Sequence, residues 1–316
     1  MKIVTTCRVK RTIKASLAEK FPSVSLQYCA DIEEAEKYLP EAEVLITYGE
    51  DLTDEHIEMA TSLKWIMVIS AGMDLMPFRK IEEKNILVTN VKGIHASPMA
   101  EYAISMLLQV SRNAKTLMEN QKAHVWDRKV PMTEISEKTM MVIGSGAIGQ
   151  EVARLAKAFR MKTIGISRSG RAVDYFDETA TIQALMDRIG EADFVVSVLP
   201  STKETENLLQ ETHFNNMKES AIFLNMGRGI TVDEPGMIRA LQNEKFAHAV
   251  LDVFHQEPLP EDNPLWDMEN VTITPHLSGI SPQYQPRAFE IFEENLTKYI
   301  QGEKPLRNEV DPKRGY

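Results

Sequence analysis

Thr139-Met-Met-Val-Ile143-Gly144-Ser145-Gly146-Ala147-Ile148-Gly149 runs an apolar stretch straight into the pattern G-x-G-x-x-G, and Gln150–Phe159 continues in helix-forming residues. Glycines at this spacing are common. Between a strand and a helix they gain the context in which the pattern has a physical meaning. Gly144 permits a tight turn, Gly146 lets backbone approach a pyrophosphate closely, and Gly149 lets the helix pack against the strand. The amides of Gly146, Ala147 and Ile148, at the helix N-terminus, are then free to meet an anion. The stretch predicts the first strand, turn and helix of a dinucleotide-binding sheet.

The strand–helix alternation that starts here continues C-terminally. Strands are expected at Lys162–Ser167, Ala192–Leu199, Ala221–Asn225, Ala247–Phe254 and Val271–Thr274, six in all with the first. Six is the number of a complete sheet of this kind. Upstream, a separate alternation occupies the first hundred residues. Its strands are expected at Lys2–Cys7, Val24–Tyr28, Glu43–Tyr48, Leu63–Ser70 and Ile86–Thr89, with helices at Thr12–Lys20, Ile32–Tyr38 and Asp54–Ala60. Short apolar runs separated by helices imply parallel sheets with crossovers. Between the two alternations one long helix is expected, Pro98 to Gln121, with Ser97 as N-cap and Pro98 in its first turn. A last helix is expected over Pro282–Gln301. The expected domains are therefore 1–98 with 283–316, and 99–282.

At 316 residues the chain is about right for two domains. Hydrophobic residues make up 43% and charged residues 26%, enough apolar material for two cores. A net charge of −10 offers no basic face for nucleic acid. Cys7 and Cys29 lie in apolar runs without metal or redox spacing and read as reduced, buried residues. The start, Met1-Lys-Ile-Val-Thr-Thr-Cys7, lacks a signal-peptide core, and no run approaches the ~18 apolar residues of a membrane span. A cytoplasmic protein without membrane or nucleic-acid partners is expected. No His, Cys or carboxylate spacing suggests a metal.

The end of the second strand of the dinucleotide-binding sheet carries the cofactor preference. An NAD site usually places Asp or Glu there, on the ribose hydroxyls. This chain reads Ile166-Ser167-Arg168-Ser169-Gly170-Arg171. With no carboxylate to repel a 2′-phosphate, Arg168 can pair with it bidentately, and Ser167 and Ser169 can donate to it. NADP(H) is expected over NAD(H), which remains acceptable if Arg168 is only a solvated loop residue.

Three further polar groups stand just beyond apolar strands, where open parallel sheets bind ligands. They are Arg228 in Asn225-Met-Gly-Arg228-Gly229, Glu257 after Leu251-Asp252-Val-Phe254, and His276 in Thr274-Pro-His276-Leu-Ser278-Gly279. With these in place the chain resembles the D-isomer-specific 2-hydroxyacid dehydrogenase family over nearly its whole length. The resemblance is carried by Ser70-Ala-Gly-Met-Asp74, Ala100-Glu101, the glycine turn, Leu199-Pro200, the Arg228 block with Val232-Asp233-Glu234, Leu251-Asp-Val-Phe254, Glu257-Pro-Leu259, Pro264-Leu-Trp266, Asn270-Val271 and Thr274-Pro-His276.

The resemblance implies two doubly wound α/β domains, a Rossmann dinucleotide-binding domain and a flavodoxin-like substrate domain, with the active site between them. It implies reduction of a small 2-oxo acid to its D-2-hydroxy acid. The catalytic roles fall on Arg228, Glu257 and His276: Arg228 to clamp the carboxylate and polarise the ketone, His276 to give the proton, Glu257 to orient the imidazole and favour its charged form. The imidazole suits that task because histidine titrates near neutrality. Cofactor contacts are implied for Leu199, Pro200, Thr205, Met226, Gly227, Asp252, Ser278 and Gly279, although Asp252 reads equally well as a structural acid. Substrate contacts are implied for Ser70, Ala71, Gly72 and Tyr284, and Trp126 is a candidate for the pocket wall. A homodimer joined through about residues 98–130 is implied. Other readings are an NAD-dependent dehydrogenase working oxidatively, phosphoglycerate dehydrogenase among them, and a dinucleotide-sensing binding protein. Formate dehydrogenase fits less well, since its longer acidic N-terminal region is not seen.

Overall fold

The computed structural model describes residues 1–312 apart from 71 and 74. The chain divides into two compact units, Met1–Ile94 with Ser281–Tyr316, and His95–Ile280.

The first unit is built on five parallel strands: β1 (Lys2–Thr5), β2 (Ser25–Tyr28), β3 (Val44–Thr47), β4 (Trp65–Val68) and β5 (Leu87–Asn90), in the order β2-β1-β3-β4-β5. β3 and β4 read Val-Leu-Ile-Thr and Trp-Ile-Met-Val and are buried at every position, as central parallel strands must be when helices cover both faces. One face packs on Ile32, Leu39, Ile57 and Ile81, the other on Leu17 and the final helix, Tyr284–Gln301. That helix buries Phe289, Phe292 and Leu296, and Phe292 stacks on Trp65 with ring centroids 5.5 Å apart. Each such side chain contributes about 1.5–3 kcal/mol through burial, which is why the end of the chain returns to this unit.

The second unit holds β6 (Thr139–Ile143), β7 (Lys162–Ser167), β8 (Glu178–Thr181), β9 (Phe194–Ser197), β10 (Ile222–Asn225), β11 (His248–Leu251) and β12 (Val271–Ile273). They form one parallel sheet in the order β12-β11-β10-β9-β6-β7-β8. The strand order reverses between β6 and β9, the topological switch point at which such sheets bind ligands. Both sheets are thus doubly wound, as the sequence leads one to expect. The second has seven strands rather than six. The extra one, Glu178-Thr-Ala-Thr181, pairs only with β7 and is half-buried throughout. A polar edge strand has no apolar run to announce it.

The long helix also departs from expectation. It is two helices, Ala96–Ser111 and Ala114–Lys122, broken at Asn113, whose φ of 48° is left-handed and whose side-chain amide donates to the Pro131 carbonyl at 2.6 Å. Asn tolerates that conformation better than most residues. Ser97 is not the N-cap: the helix begins at Ala96 behind His95, whose backbone is already helical and whose side chain makes no cap bond. The chain enters through a run of turn residues at 92–95, so the residue just before the helix is not extended.

Candidate active site

At the glycine turn, Gly144 has a φ of +110°, where a side chain is strained, and an added Cβ would come within 2.9 Å of Val198 Cγ2. Gly149 lies in the first turn of the helix Ala147–Ala158, and a Cβ there would sit 2.1 Å from the Gly144 carbonyl oxygen. Gly146, the N-cap, differs: a Cβ there would meet no protein atom within 4 Å. It would project into open space in front of the helix N-terminus. Two glycines are required by the fold, and the third leaves open space of the kind that a pyrophosphate would need. This is the fit expected for a dinucleotide.

At the end of β7, Ser167 Oγ accepts the Gly170 N–H at 3.1 Å, and Gly170 turns with φ +62°. Ser169 Oγ accepts the Arg171 N–H at 3.4 Å. The Arg168 side chain is 72% exposed and makes a loose pair with the equally exposed Glu204 at 3.7 Å. Such surface pairs are worth about 0–1 kcal/mol, so this one does little to hold the guanidinium. Beyond β9, Leu199 is buried, while Thr205 Oγ1 is engaged in its own turn, donating to the Pro200 carbonyl at 2.7 Å and accepting the Thr202 N–H at 2.9 Å.

β10, β11 and β12 end in register, Asn225 opposite Leu251 and Leu251 opposite Ile273. Neighbouring parallel strands lie about 4.8 Å apart, so the loops bearing Arg228, Glu257 and His276 leave the sheet side by side. Arg228 is half-buried between two glycines that have no freedom to be anything else. A Cβ on Gly227 would lie 2.5 Å from the Leu199 carbonyl oxygen, and one on Gly229 would lie 2.0 Å from that of Phe254. The turn is threaded between the neighbouring strand ends. Asn225 Nδ2 and Thr231 Oγ1 both donate to the Arg228 carbonyl, at 3.3 and 2.7 Å, and Met226 is buried beneath.

His276 Nδ1 lies 2.7 Å from Glu257 Oε2, and Glu257 Oε1 accepts the Phe254 N–H at 3.0 Å. A carboxylate only accepts, so Nδ1 carries the hydrogen and Nε2 is the nitrogen left for chemistry. His276 itself holds a left-handed φ of 54°, and its N–H donates to the Asp252 carbonyl oxygen at 2.9 Å. Asp252 is fully buried. Its Oδ1 accepts from Thr274 Oγ1 at 2.5 Å and from the Leu277 N–H at 2.8 Å, and its Oδ2 accepts the Ser278 N–H at 2.9 Å. The Tyr102 hydroxyl stands 2.7 Å from Thr274 Oγ1. Sequence reasoning missed Tyr102 and Thr274. A signal existed: Tyr102 interrupts the buried alanines Ala100 and Ala103 of the helix Ala96–Ser111 with a hydroxyl. His95 was also passed over. Its Nδ1 lies 3.4 Å from the Gly279 carbonyl oxygen, and burial holds its pKa below the usual range, with Arg228 adding to the effect.

In the first unit, Ser70 Oγ donates to the Gly72 carbonyl at 2.6 Å, and the Tyr284 hydroxyl donates to the Ile69 carbonyl just ahead of that turn. Ala71 lies outside the described residues, as does Asp74. Trp126 is 91% exposed. Among the described residues no group of three or more His, Cys, Asp or Glu could hold a metal, and no helix is long and apolar enough to cross a membrane.

Comparison with known proteins bears on the family and the fold. Residues 104–278 match the family described as D-isomer specific 2-hydroxyacid dehydrogenase, NAD binding domain. A D-isomer specific 2-hydroxyacid dehydrogenase family protein of Aeromonas salmonicida has a similar structure, with a TM-score of 0.88 and 33% identity over 98% of this chain and 99% of that one. The glyoxylate/hydroxypyruvate reductase B of Salmonella schwarzengrund is 32% identical over 278 residues, 86% of this chain and 85% of its own length. An NADPH-dependent glyoxylate/hydroxypyruvate reductase of Sinorhizobium meliloti, solved with NADP and sulfate, has a TM-score of 0.82 and 26% identity over 100% of this chain and 99% of that one. The chain is an NAD(P)-dependent oxidoreductase, and it belongs to the D-isomer specific 2-hydroxyacid dehydrogenase family.

Proposed function

We propose that the protein reduces a small 2-oxo acid, of the size of glyoxylate or hydroxypyruvate, to the D-2-hydroxy acid, with NADP(H) preferred over NAD(H). The observation that carries this reading is the His276–Glu257 pair. An imidazole with Nδ1 committed to a carboxylate presents Nε2 alone to solvent and substrate, which is the arrangement a general acid needs. The named activities of the Salmonella and Sinorhizobium relatives support the substrate class.

A bound dinucleotide supplies the hydride. The residues of this chain do the rest. Arg228, its backbone fixed between Gly227 and Gly229, pairs with the substrate carboxylate and polarises the ketone oxygen. His276 gives its Nε2 proton to the oxygen as negative charge grows there, and takes it back in the oxidative direction. Glu257 keeps the ring turned, with Nδ1 bonded to its carboxylate. The turn from Gly144 to Gly149 holds the pyrophosphate, and Leu199, Pro200, Thr205, Met226, Gly227, Ser278 and Gly279 flank the rest of the cofactor. Asp252 acts there through the loop it ties down. The substrate roles of Ser70, Ala71, Gly72 and Tyr284 rest on the family resemblance.

The preference for NADP(H) rests on the strand-end sequence Ser167-Arg168-Ser169, which has no acid, and on an Arg168 side chain that is 72% exposed at that strand end. Cys7 and Cys29, both free and buried, suit a reducing cytoplasm. Leu117, Met118, Val125, Trp126 and Met132, all exposed between residues 114 and 135, suit burial against a second copy in a homodimer.

The test is the initial rate of NADPH loss, with NADH in parallel, over glyoxylate, hydroxypyruvate, pyruvate, phenylpyruvate and branched 2-oxo acids. Turnover favouring NADPH is expected. A preference for NADH would refute the phosphate-site argument and keep the chemistry. No turnover by protein that binds dinucleotide would refute the reductase reading and favour a sensing role.

A further inference from the structure

We propose that Tyr102 is a positioning residue, whose hydroxyl acts through Thr274 and Asp252 to hold the 274–278 loop and, with it, the His276 imidazole. The inference rests on the reading of His276 as proton donor and adds a residue that the reading does not contain.

The direction of the hydrogen bonds follows from their far end. The Asp252 carboxylate can only accept, so Thr274 Oγ1 donates to it at 2.5 Å, and the 2.7 Å contact with Tyr102 must then be a bond that tyrosine donates. Burial, the largest influence on the Tyr102 hydroxyl, raises its pKa well above the ordinary tyrosine value, so it remains a donor at every working pH. Asp252 is 0% exposed, and its two oxygens take one hydroxyl and two backbone amides, all from residues 274–278. Its own carbonyl takes the His276 N–H. His276 is therefore tied at itself, two residues before, and one and two residues after.

That restraint matters because, among the described residues, the ring itself has one side-chain partner, Glu257. The His276 side chain is 49% exposed and meets Glu257 only through Nδ1. Its backbone holds φ 54°, which a non-glycine residue keeps only when its surroundings impose it. Without the Tyr102 hydroxyl, Thr274 Oγ1 loses its donor in a half-buried place and is free to rotate off Asp252. The loop then loses its side-chain restraint on the N-terminal side of His276 and keeps only backbone ones there, among them the bond from the Thr274 N–H to the Leu251 carbonyl at 3.0 Å. Tyr102 reaches this point from the helix Ala96–Ser111, so the position of the proton donor is referred to a second element of the same unit.

The experiment compares Tyr102→Phe, Thr274→Val, Thr274→Ser and the Tyr102→Phe/Thr274→Val double variant with NADPH and the best 2-oxo acid of the screen above. It reads kcat, KM and the melting temperature, with His276→Ala as control. Tyr102→Phe and Thr274→Val are each expected to lower kcat about tenfold or more with KM changed little, since displacement of a catalytic group acts on the transition state. The double variant should be no worse than the poorer single one, and Thr274→Ser should restore most of the rate. Should Tyr102→Phe fail to fold, the Val and Ser variants at Thr274 decide the matter alone. Native kcat in Tyr102→Phe, or equal losses in Thr274→Val and Thr274→Ser, would overturn the inference. Near-native kcat in His276→Ala would instead overturn the reading on which it rests.

Discussion

Gly146 and Gly149 lie three residues apart in one turn, and replacing each by alanine should separate the fold from the ligand. At Gly149 a methyl group would sit 2.1 Å from the Gly144 carbonyl oxygen and 3.2 Å from Val142 Cγ1. Ordinary contact begins near 3.4 Å, so the start of the helix Ala147–Ala158 must retreat by about 1 Å, since the closest partner, the Gly144 carbonyl oxygen, is backbone and cannot swing away. Overpacking of this kind costs about 1–3 kcal/mol, which lowers the melting temperature by several degrees in a unit of this size. It also moves the amides that face the pyrophosphate, so dinucleotide affinity should fall at least about tenfold, or 1.4 kcal/mol. At Gly146 φ is −77° and nothing lies within 4 Å of the added atom. Stability should change by no more than about 0.5 kcal/mol, and alanine can even help by restricting the unfolded chain. Affinity should nevertheless fall at least about tenfold, because the methyl group occupies the ligand's space. Thermal unfolding without cofactor and fluorescence titration with NADPH measure the two quantities. Native affinity in Gly146→Ala would refute the assignment of this turn as the pyrophosphate cradle, whatever Gly149→Ala does.

His276→Ala should lose kcat by about 10²–10⁴-fold, the usual contribution of a general acid, with NADPH affinity within a few-fold of native; stopped-flow single turnovers give both, and an undiminished chemical step would remove His276 from its role. Arg168→Ala should weaken NADPH and leave NADH nearly unchanged, bringing the kcat/KM ratio of the two toward one; an unaltered ratio means that the phosphate is held elsewhere. His248 should impose a pH dependence on stability. Burial, with a smaller effect of Lys115, holds its pKa down to about 4, and its Nε2 meets Thr272 Oγ1 at 2.9 Å. In the unfolded chain it titrates near 6.5, so as pH falls from 6.5 toward 4 the unfolded state takes the proton first and stability declines. The decline from this residue should reach about 2 kcal/mol between pH 7 and pH 5. Urea unfolding of native protein and His248→Gln at the two pH values isolates it, and parallel losses in both proteins would count against the assignment.

What the sequence disclosed depended on how each feature is encoded. The buried strands were legible because a strand covered on both faces is written as an unbroken apolar run, as in Val44–Thr47 and Phe194–Ser197. β8 was not, because an edge strand buries only part of itself and Glu178-Thr-Ala-Thr181 carries no such run. The break at Asn113 was missed for a related reason. Apolar spacing survives a single left-handed residue, so periodicity reads through it, and only the asparagine itself marks the interruption. Residues proposed to bear chemistry stood out when they followed strand ends in apolar surroundings, as Arg228 and His276 do. Those that act by holding other groups, such as Tyr102 and Thr274, carry at most a faint local mark, a hydroxyl among the buried alanines of a helix in the case of Tyr102. Their meaning lies in a pairing across 172 positions of sequence that only the fold supplies.

The glycines around Arg228 show how tightly fold and chemistry are joined at this site. Met226-Gly227-Arg228-Gly229 could be taken as a flexible loop presenting an arginine. The distances argue the opposite, since methyl groups at Gly227 and Gly229 would lie 2.5 Å from the Leu199 and 2.0 Å from the Phe254 carbonyl oxygens. The two glycines are there because backbone passes against backbone on either side, not for freedom of motion. A guanidinium whose Cα is held by two neighbouring strand ends keeps its rotational search short, and the entropy of placing it is met mostly in folding rather than in binding substrate. The same economy governs His276, whose half-exposed ring would wander were its backbone not tied to a buried carboxylate. In both cases the side chain proposed to react keeps partial exposure while its main chain is held by neighbouring backbone. That is the condition under which an exposed group can act from one place.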